Sequence, residues 1–213
     1  MTEPTESFFG CLLESRRTDE QNEIHQRLCD AMPRFRLVGD DDPERKQARL
    51  WDFTRRANGG KHFLTFRQVT GSCVGNGGGQ AVWYLSAVEV FRLGDPEQVL
   101  LPFYLLPYGR SRYYGGLSGR GEGSFGSAFA EAIRKDGILP ANTSGLPQPN
   151  EDDGVTWGRN AEMAWSDGAR IAEEWLTQSR RYPVRSTAQV RTLDEARAAV
   201  RNYYPITIAS SWG

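Results

Sequence analysis

Apolar positions recur at helical spacing in several stretches of this chain, and most of those stretches carry recognisable start and stop residues. Thr18 and Gln21 form a capping-box pair, after which Ile24, Leu28 and Met32 fall on one helical face. Asp42-Pro43 reads as a second helix start, with proline at the first helical position, running towards Gly59-Gly60 as a stop. His62 to Val69, with Phe63 and Phe66 as its apolar points, reads as extended. The apolar run Ala81 to Phe91 is long enough for a buried helix and ends at Gly94-Asp95-Pro96. Residues 98–126 show no period and read as irregular, with Pro102, Pro107 and a Tyr/Arg/Gly mixture. Ser127 to Asp136 is a short amphipathic helix (Ala128, Phe129, Ala132 and Ile133 on one face), stopped by Gly137. After a Pro/Gly/Asn/Asp-rich loop at 140–158, one long helix is expected from Ala161, Ala164, Trp165, Gly168, Ile171, Ala172, Trp175 and Leu176. Thr192 and Glu195 open a further helix to about Arg201, and Tyr203 to Ser210 alternates around Ile206 and Ile208 as a strand.

A run of small residues, Gly71-Ser72-Cys73-Val74-Gly75-Asn76-Gly77-Gly78-Gly79, precedes the apolar run at 81–91. If the helix begins near Cys73, its early turns are almost all glycine, each costing about 1 kcal/mol against alanine. Close approach of a ligand or of another segment to the bare backbone would offset that cost.

Composition narrows the class. A chain of 213 residues fits one domain, or one domain with an appendage. Its 26 basic and 27 acidic residues leave a net charge of −1, so no global field gathers nucleic acid or an anionic membrane. Aromatic residues at 11% argue for a folded core. Cys11, Cys29 and Cys73 are odd in number, lack metal-ligand spacing and have only His25 and His62 as further ligands. No metal and no cofactor are expected. The first twenty residues do not form a signal peptide, and no apolar stretch approaches the roughly 20 residues of a membrane span. Free thiols then point to the cytoplasm or another reducing compartment.

Cys73 is the candidate nucleophile. Unpaired N–H groups and the positive dipole end at a helix N-terminus favour a thiolate, and the thiolate is the reactive form. Gln68 offers an amide donor near that sulfur for a developing oxyanion. The Gly119-Arg120-Gly121-Glu122-Gly123-Ser124 loop could line a groove and pair with an extended peptide. A cysteine version of the nucleophile elbow fits Gly71-x-Cys73-x-Gly75 but leaves the loop unexplained. A phosphate loop fails for want of a third glycine or a Gly-Lys-Ser/Thr. Arg110, Arg112 and Arg120 among Tyr108, Tyr113 and Tyr114 could stack on single-stranded nucleic acid, a reading the balanced charge argues against.

Gln68…Gly71-Ser72-Cys73, the helix after it, Gly121-Glu122-Gly123-Ser124 and the segment Ser127 to Ile138 resemble, in that order, the papain-like cysteine peptidases. The likeness covers roughly residues 63–213. It implies an α+β fold, a helical left domain followed by the beginning of a β-barrel-like right domain; residues 1–60 read from their own pattern as a helical lead-in, either a pro-segment or docking arm or a helical flank packed on the domain. The likeness further implies Cys73 as nucleophile, Gln68 as oxyanion donor, and Gly71, Ser72, Gly121, Gly123 and Ser124 at the site of an extended peptide or protein substrate. The sequence departs from the family at several points. Thr70 stands where the family commonly has a disulfide cysteine, and Glu122 stands where its partner falls. Val74 replaces an aromatic residue, and Gln68 is one residue closer to the cysteine than usual. No histidine follows Cys73, so the imidazole that cycles the proton has no downstream source in this sequence. Two readings stand: a cysteine peptidase whose remaining barrel strands follow Gly213 or are supplied by a partner chain at the C-terminal strand, or a non-catalytic papain-like scaffold in an assembly such as a virion.

Overall fold

The computed structural model describes residue 12, residues 14–36 and residues 47–208. After a short 3-10 turn at Glu14–Arg16 come α1 (Asp19–Ala31), α2 (Leu50–Ala57), α3 (Cys73–Leu93) and α4 (Leu105–Tyr114). They are followed by α5 (Gly126–Asp136), α6 (Arg159–Trp165), α7 (Glu173–Ser179) and α8 (Leu193–Arg201). The expected helix start at Asp42-Pro43, Cys11, and the end of the expected strand at 209–210 lie outside the described residues.

The α+β expectation is overturned. Among the described residues there is no sheet and no barrel, only two isolated bridges, Arg34 with Gln189 and Pro102 with Pro140. Residues 203–208 form no strand. Tyr203 takes a left-handed φ of 65°, and its ring packs edge-on against Phe53 at 5.3 Å, with the Arg92 guanidinium 4.7 Å away. The chain therefore folds back onto α2 and α3, and Ile208 points into solvent at 84% exposure. The segment at 62–69 pairs with no strand either; Phe63 and Phe66 leave it to stack on Trp83, at 3.8 and 5.7 Å.

The core is aromatic. Phe63, Phe66, Trp83, Phe103, Tyr104, Leu105, Leu106 and Trp157 form one buried cluster between α3, α4 and the loop before α6. The glycines of α3 explain their presence here. A Cβ on Gly75 would lie 2.8 Å from that of Tyr108, and one on Gly79 would lie 2.6 Å from that of Tyr104. Another segment approaches the backbone closely, as the glycine pattern required.

Two helices differ from expectation. α4 falls in a region read as irregular; Pro107 sits in its first turn, where the N–H it lacks has no intrahelical partner to lose. The single long helix expected at 161–176 is broken into α6 and α7. A Cβ on Gly168 would lie 2.0 Å from the Gly109 carbonyl oxygen, so the connection runs against α4 rather than continuing as a helix. The ends of α1, α5 and α8 agree with the sequence: Thr18 and Gln21 make the reciprocal capping box, Gly137 ends α5 at φ 74°, and Thr192 accepts from the Glu195 N–H. No helix among the described residues is long and apolar enough to cross a membrane.

The lead-in docks through α1 onto α5. Ile24 and Leu28 pack against Leu117, Phe125 and Ala128, and the Leu12 N–H donates to the Ser124 carbonyl at 2.8 Å. His25 lies in this contact, with Nδ1 2.8 Å from the Ser127 hydroxyl and its ring edge-on to Phe125. Burial, reinforced by the Arg17 charge against an opposing Glu14, holds its imidazole below the ordinary histidine value. An unfolded chain therefore takes up this proton first. The stability contributed is complete above the unfolded value and is lost as pH falls through it towards the folded one. Tm should drop more between about pH 7 and pH 5 in the natural chain than in His25→Phe. Equal drops would show that His25 does not govern the docking.

Candidate functional site

The site begins with the start of α3. Cys73 is its first residue, a partly exposed thiol that is in no disulfide. Ser72 occupies the N-cap position but does not cap α3 with its side chain. Its hydroxyl donates instead to Glu162 Oε2 at 2.9 Å. The helix end beside the sulfur thus lacks a capping side-chain oxygen, which leaves its positive end available to an anion.

The loop leading to Cys73 is held from three directions. Thr70 donates its hydroxyl to Glu162 Oε2, and Tyr104 donates to Glu162 Oε1 at 2.8 Å. Burial, followed by the Glu162 charge, pushes the Tyr104 phenol well above its ordinary value, so it remains a hydroxyl donor. Between Thr70 and Ser72, the Gly71 N–H donates to Glu122 Oε2 at 2.7 Å, and the Gly71 carbonyl accepts from the Tyr108 hydroxyl at 3.3 Å. Tyr108 in turn accepts from the Gly123 N–H at 3.2 Å. Burial dominates the rise of its phenol above the ordinary range. One tyrosine oxygen therefore joins the cysteine loop to the glycine-rich loop, and Glu122 joins them a second time. Arg159 pairs with Glu122 at 3.2 Å from the solvent side.

Arg112 shapes the glycine-rich loop from beneath. Its guanidinium donates to the carbonyls of Gly123 at 2.6 Å, Leu117 at 2.9 Å and Gly121 at 2.7 Å, to that of Arg120, and through Nε to Ser166 at 2.9 Å. It is 2% exposed. Of the arginine and tyrosine residues that suggested stacking on nucleic acid, Tyr108, Arg110 and Arg112 are interior, Arg110 turning to Asp136 at 2.6 Å, while Tyr113 and Arg120 are exposed.

The residues singled out from sequence fall as follows. Gln68 is exposed, and its amide nitrogen donates to the Thr70 carbonyl at 2.6 Å. That nitrogen carries two hydrogens, so one fixes the side chain and the other is left for a ligand. Gly71 and Ser72 are buried in the tethered loop. Gly121 is exposed, with open space where a Cβ would stand. Gly123 is buried, and both its N–H and its carbonyl are engaged inward, by Tyr108 and Arg112. Ser124 is buried, its hydroxyl accepting from Ser111 at 2.8 Å and its carbonyl from Leu12. His25 is engaged at the α1–α5 contact, and His62 is exposed before Phe63. Among the described residues no group of three or more His, Cys, Asp or Glu side chains could hold a metal ion.

Sequence reasoning missed Glu162, Tyr104 and Arg112 as site residues. The one available signal was an acidic residue within the otherwise apolar Ala161-to-Trp165 face.

No protein-family model matches the sequence, and no curated protein does. Among solved structures, the chain is similar to xylellain, a cysteine protease from Xylella fastidiosa, with 14% identity and a TM-score of 0.48. The match covers 79% of this chain and 62% of that one, so the chain spans less than two thirds of this neighbour's length.

Proposed function

We propose that the chain presents Cys73 as the nucleophile of a papain-like cysteine peptidase site acting on extended peptides. One observation carries the reading: a partly exposed thiol, outside any disulfide, is the first residue of a 21-residue helix, where the local field favours its ionised form. In this reaction the thiolate attacks the peptide carbonyl carbon, and negative charge builds on the carbonyl oxygen. The Cys73 N–H and the free hydrogen of the Gln68 amide would receive it. Gly71 and Ser72 lie in the tethered loop beside the sulfur, and on the other side only the exposed Gly121 would offer open backbone to a peptide, Gly123 and Ser124 being buried behind it. The chemistry uses no cofactor. Peptide-bond cleavage also needs an acid to protonate the leaving amine, and no histidine follows Cys73 in these 213 residues.

The scaffold reading has its own support. The inward engagement of Gly123 leaves its backbone groups without a free face for a peptide. The two readings separate in one experiment with two measurements. Under the nucleophile reading, an alkylating agent at neutral pH labels Cys73 before Cys29, which is buried, and before Cys11, while the 213-residue chain shows no turnover of unstructured peptides. Equal labelling of the three thiols, or none at Cys73, moves the assignment to the scaffold.

A further inference from the structure

Glu162 is a fully buried carboxylate, 0% exposed, on which the hydroxyls of Thr70, Ser72 and Tyr104 converge. Two of those hydroxyls flank Gly71, and one belongs to the residue immediately before Cys73. A carboxylate only accepts hydrogen bonds, so three hydroxyl donors suit its ionised form. Its hydrogen-bonding partners at the site are neutral hydroxyls, which satisfy its oxygens without cancelling its charge. The charge therefore lies at the start of α3, in an interior where charges act on one another strongly.

We propose that Glu162 is a positioning residue with two opposed effects on Cys73: its tethers fix the loop that presents the thiol, and its charge restrains the thiol from ionising. The inference rests on the reading of Cys73 as nucleophile and adds what sets its reactivity. The positive end of α3 attracts an anion, and Glu162 already supplies one beside the N-cap. A thiolate at Cys73 is a second negative charge in the same field, so the helix end and Glu162 act on it with opposite signs. The arrangement trades part of the thiol's reactivity for an ordered loop.

The sign of the effect separates this role from a structural one. In Glu162→Gln, the amide oxygen can still accept from Thr70 and Ser72 while the amide nitrogen donates to the Tyr104 oxygen, so the tethers persist without the charge. The midpoint of the pH–rate profile for alkylation of Cys73 by iodoacetamide, followed by peptide mapping, should move down by about one pH unit. Below the midpoint this is about a tenfold faster reaction. A purely structural role predicts no fall: the midpoint stays where it is if the tethers hold, and rises towards that of a free cysteine if the helix end loosens. Tyr104→Phe provides the second arm. It removes one donor, leaves the charge less screened and should move the midpoint up by a smaller amount. An unmoved or raised midpoint in folded Glu162→Gln overturns the inference; if that variant does not fold, an unmoved midpoint in Tyr104→Phe does so. A natural chain whose Cys73 reacts no earlier in pH than free cysteine overturns the nucleophile reading itself, and this inference falls with it.

Discussion

Replacing Arg112 with methionine is expected to destabilise the protein by about 3 kcal/mol or more, because several buried carbonyls lose a charged donor together. Methionine preserves much of the length and apolar stem but none of the donors. Five carbonyls, those of Leu117, Arg120, Gly121, Gly123 and Ser166, lose their partner at once. Each buried acceptor left unsatisfied costs about 1–3 kcal/mol, although those nearest the surface can turn to water. Urea unfolding measures the loss, and limited proteolysis within residues 117–123 reports whether the loop opens. Lysine should recover only part of the stability, since a single ammonium cannot reproduce a planar fork spread over five carbonyls. A loss below about 1 kcal/mol for the methionine variant would show that the loop holds its shape without the guanidinium.

Gly78→Ala is expected to have the next largest effect. Its new Cβ would lie 2.1, 2.5 and 2.6 Å from Cε1, Cδ1 and Cζ of the Phe129 ring, and Phe129 is 4% exposed on α5. The ring has no solvent to move into, so α3 and α5 must separate or the ring must leave its rotamer. Overpacking of this kind costs about 1–3 kcal/mol or more, which exceeds the roughly 1 kcal/mol that alanine gains in a helix. Gly77 supplies the control. It lies one residue away in the same helix, and a methyl group there would meet nothing within 4 Å, so Gly77→Ala should stabilise by up to about 1 kcal/mol. Urea midpoints of the pair should therefore move in opposite directions. A shared direction would mean that helix propensity, and not the α3–α5 approach, governs this stretch.

Local features of the fold were legible where one residue carries the signal. The Thr18–Gln21 box, the Gly94 and Gly137 stops and the start of α3 at Cys73 all lie where the residues place them. So does the close approach implied by glycines at 75 and 79. Features set by distant partners were not legible. α4 carries Tyr108, Arg110 and Arg112 on buried positions, so it lacks an apolar stripe, and only the carbonyls of the loop that follows it, those of Ser166 and Gly168, and the Asp136 carboxylate explain why those arginines are inside. The strand expected at 203–210 followed from alternation, which cannot foresee that Tyr203 packs on Phe53. At the candidate site, Cys73 and Gln68 are proposed from residue type and spacing alone. Glu162 could not have been, because its significance comes from three hydroxyls that the sequence scatters between positions 70 and 104.

The glycine-filled start of α3 also has a bearing on the order in which the molecule acquires its chemistry during synthesis. A helix whose first two turns contain four glycines does not hold together by local propensity, and short helices in water depend on tertiary contacts. Its stabilising contacts come from Tyr104, Tyr108 and Phe129, which leave the ribosome 31 or more residues after Cys73. Until they dock, the sulfur sits in an unstructured, glycine-rich segment and behaves as an ordinary thiol. On the reading of Cys73 as nucleophile, the helix field that favours its ionisation would come into being only with the docking of α4 and α5, and the finished fold would be the first state to possess a reactive cysteine.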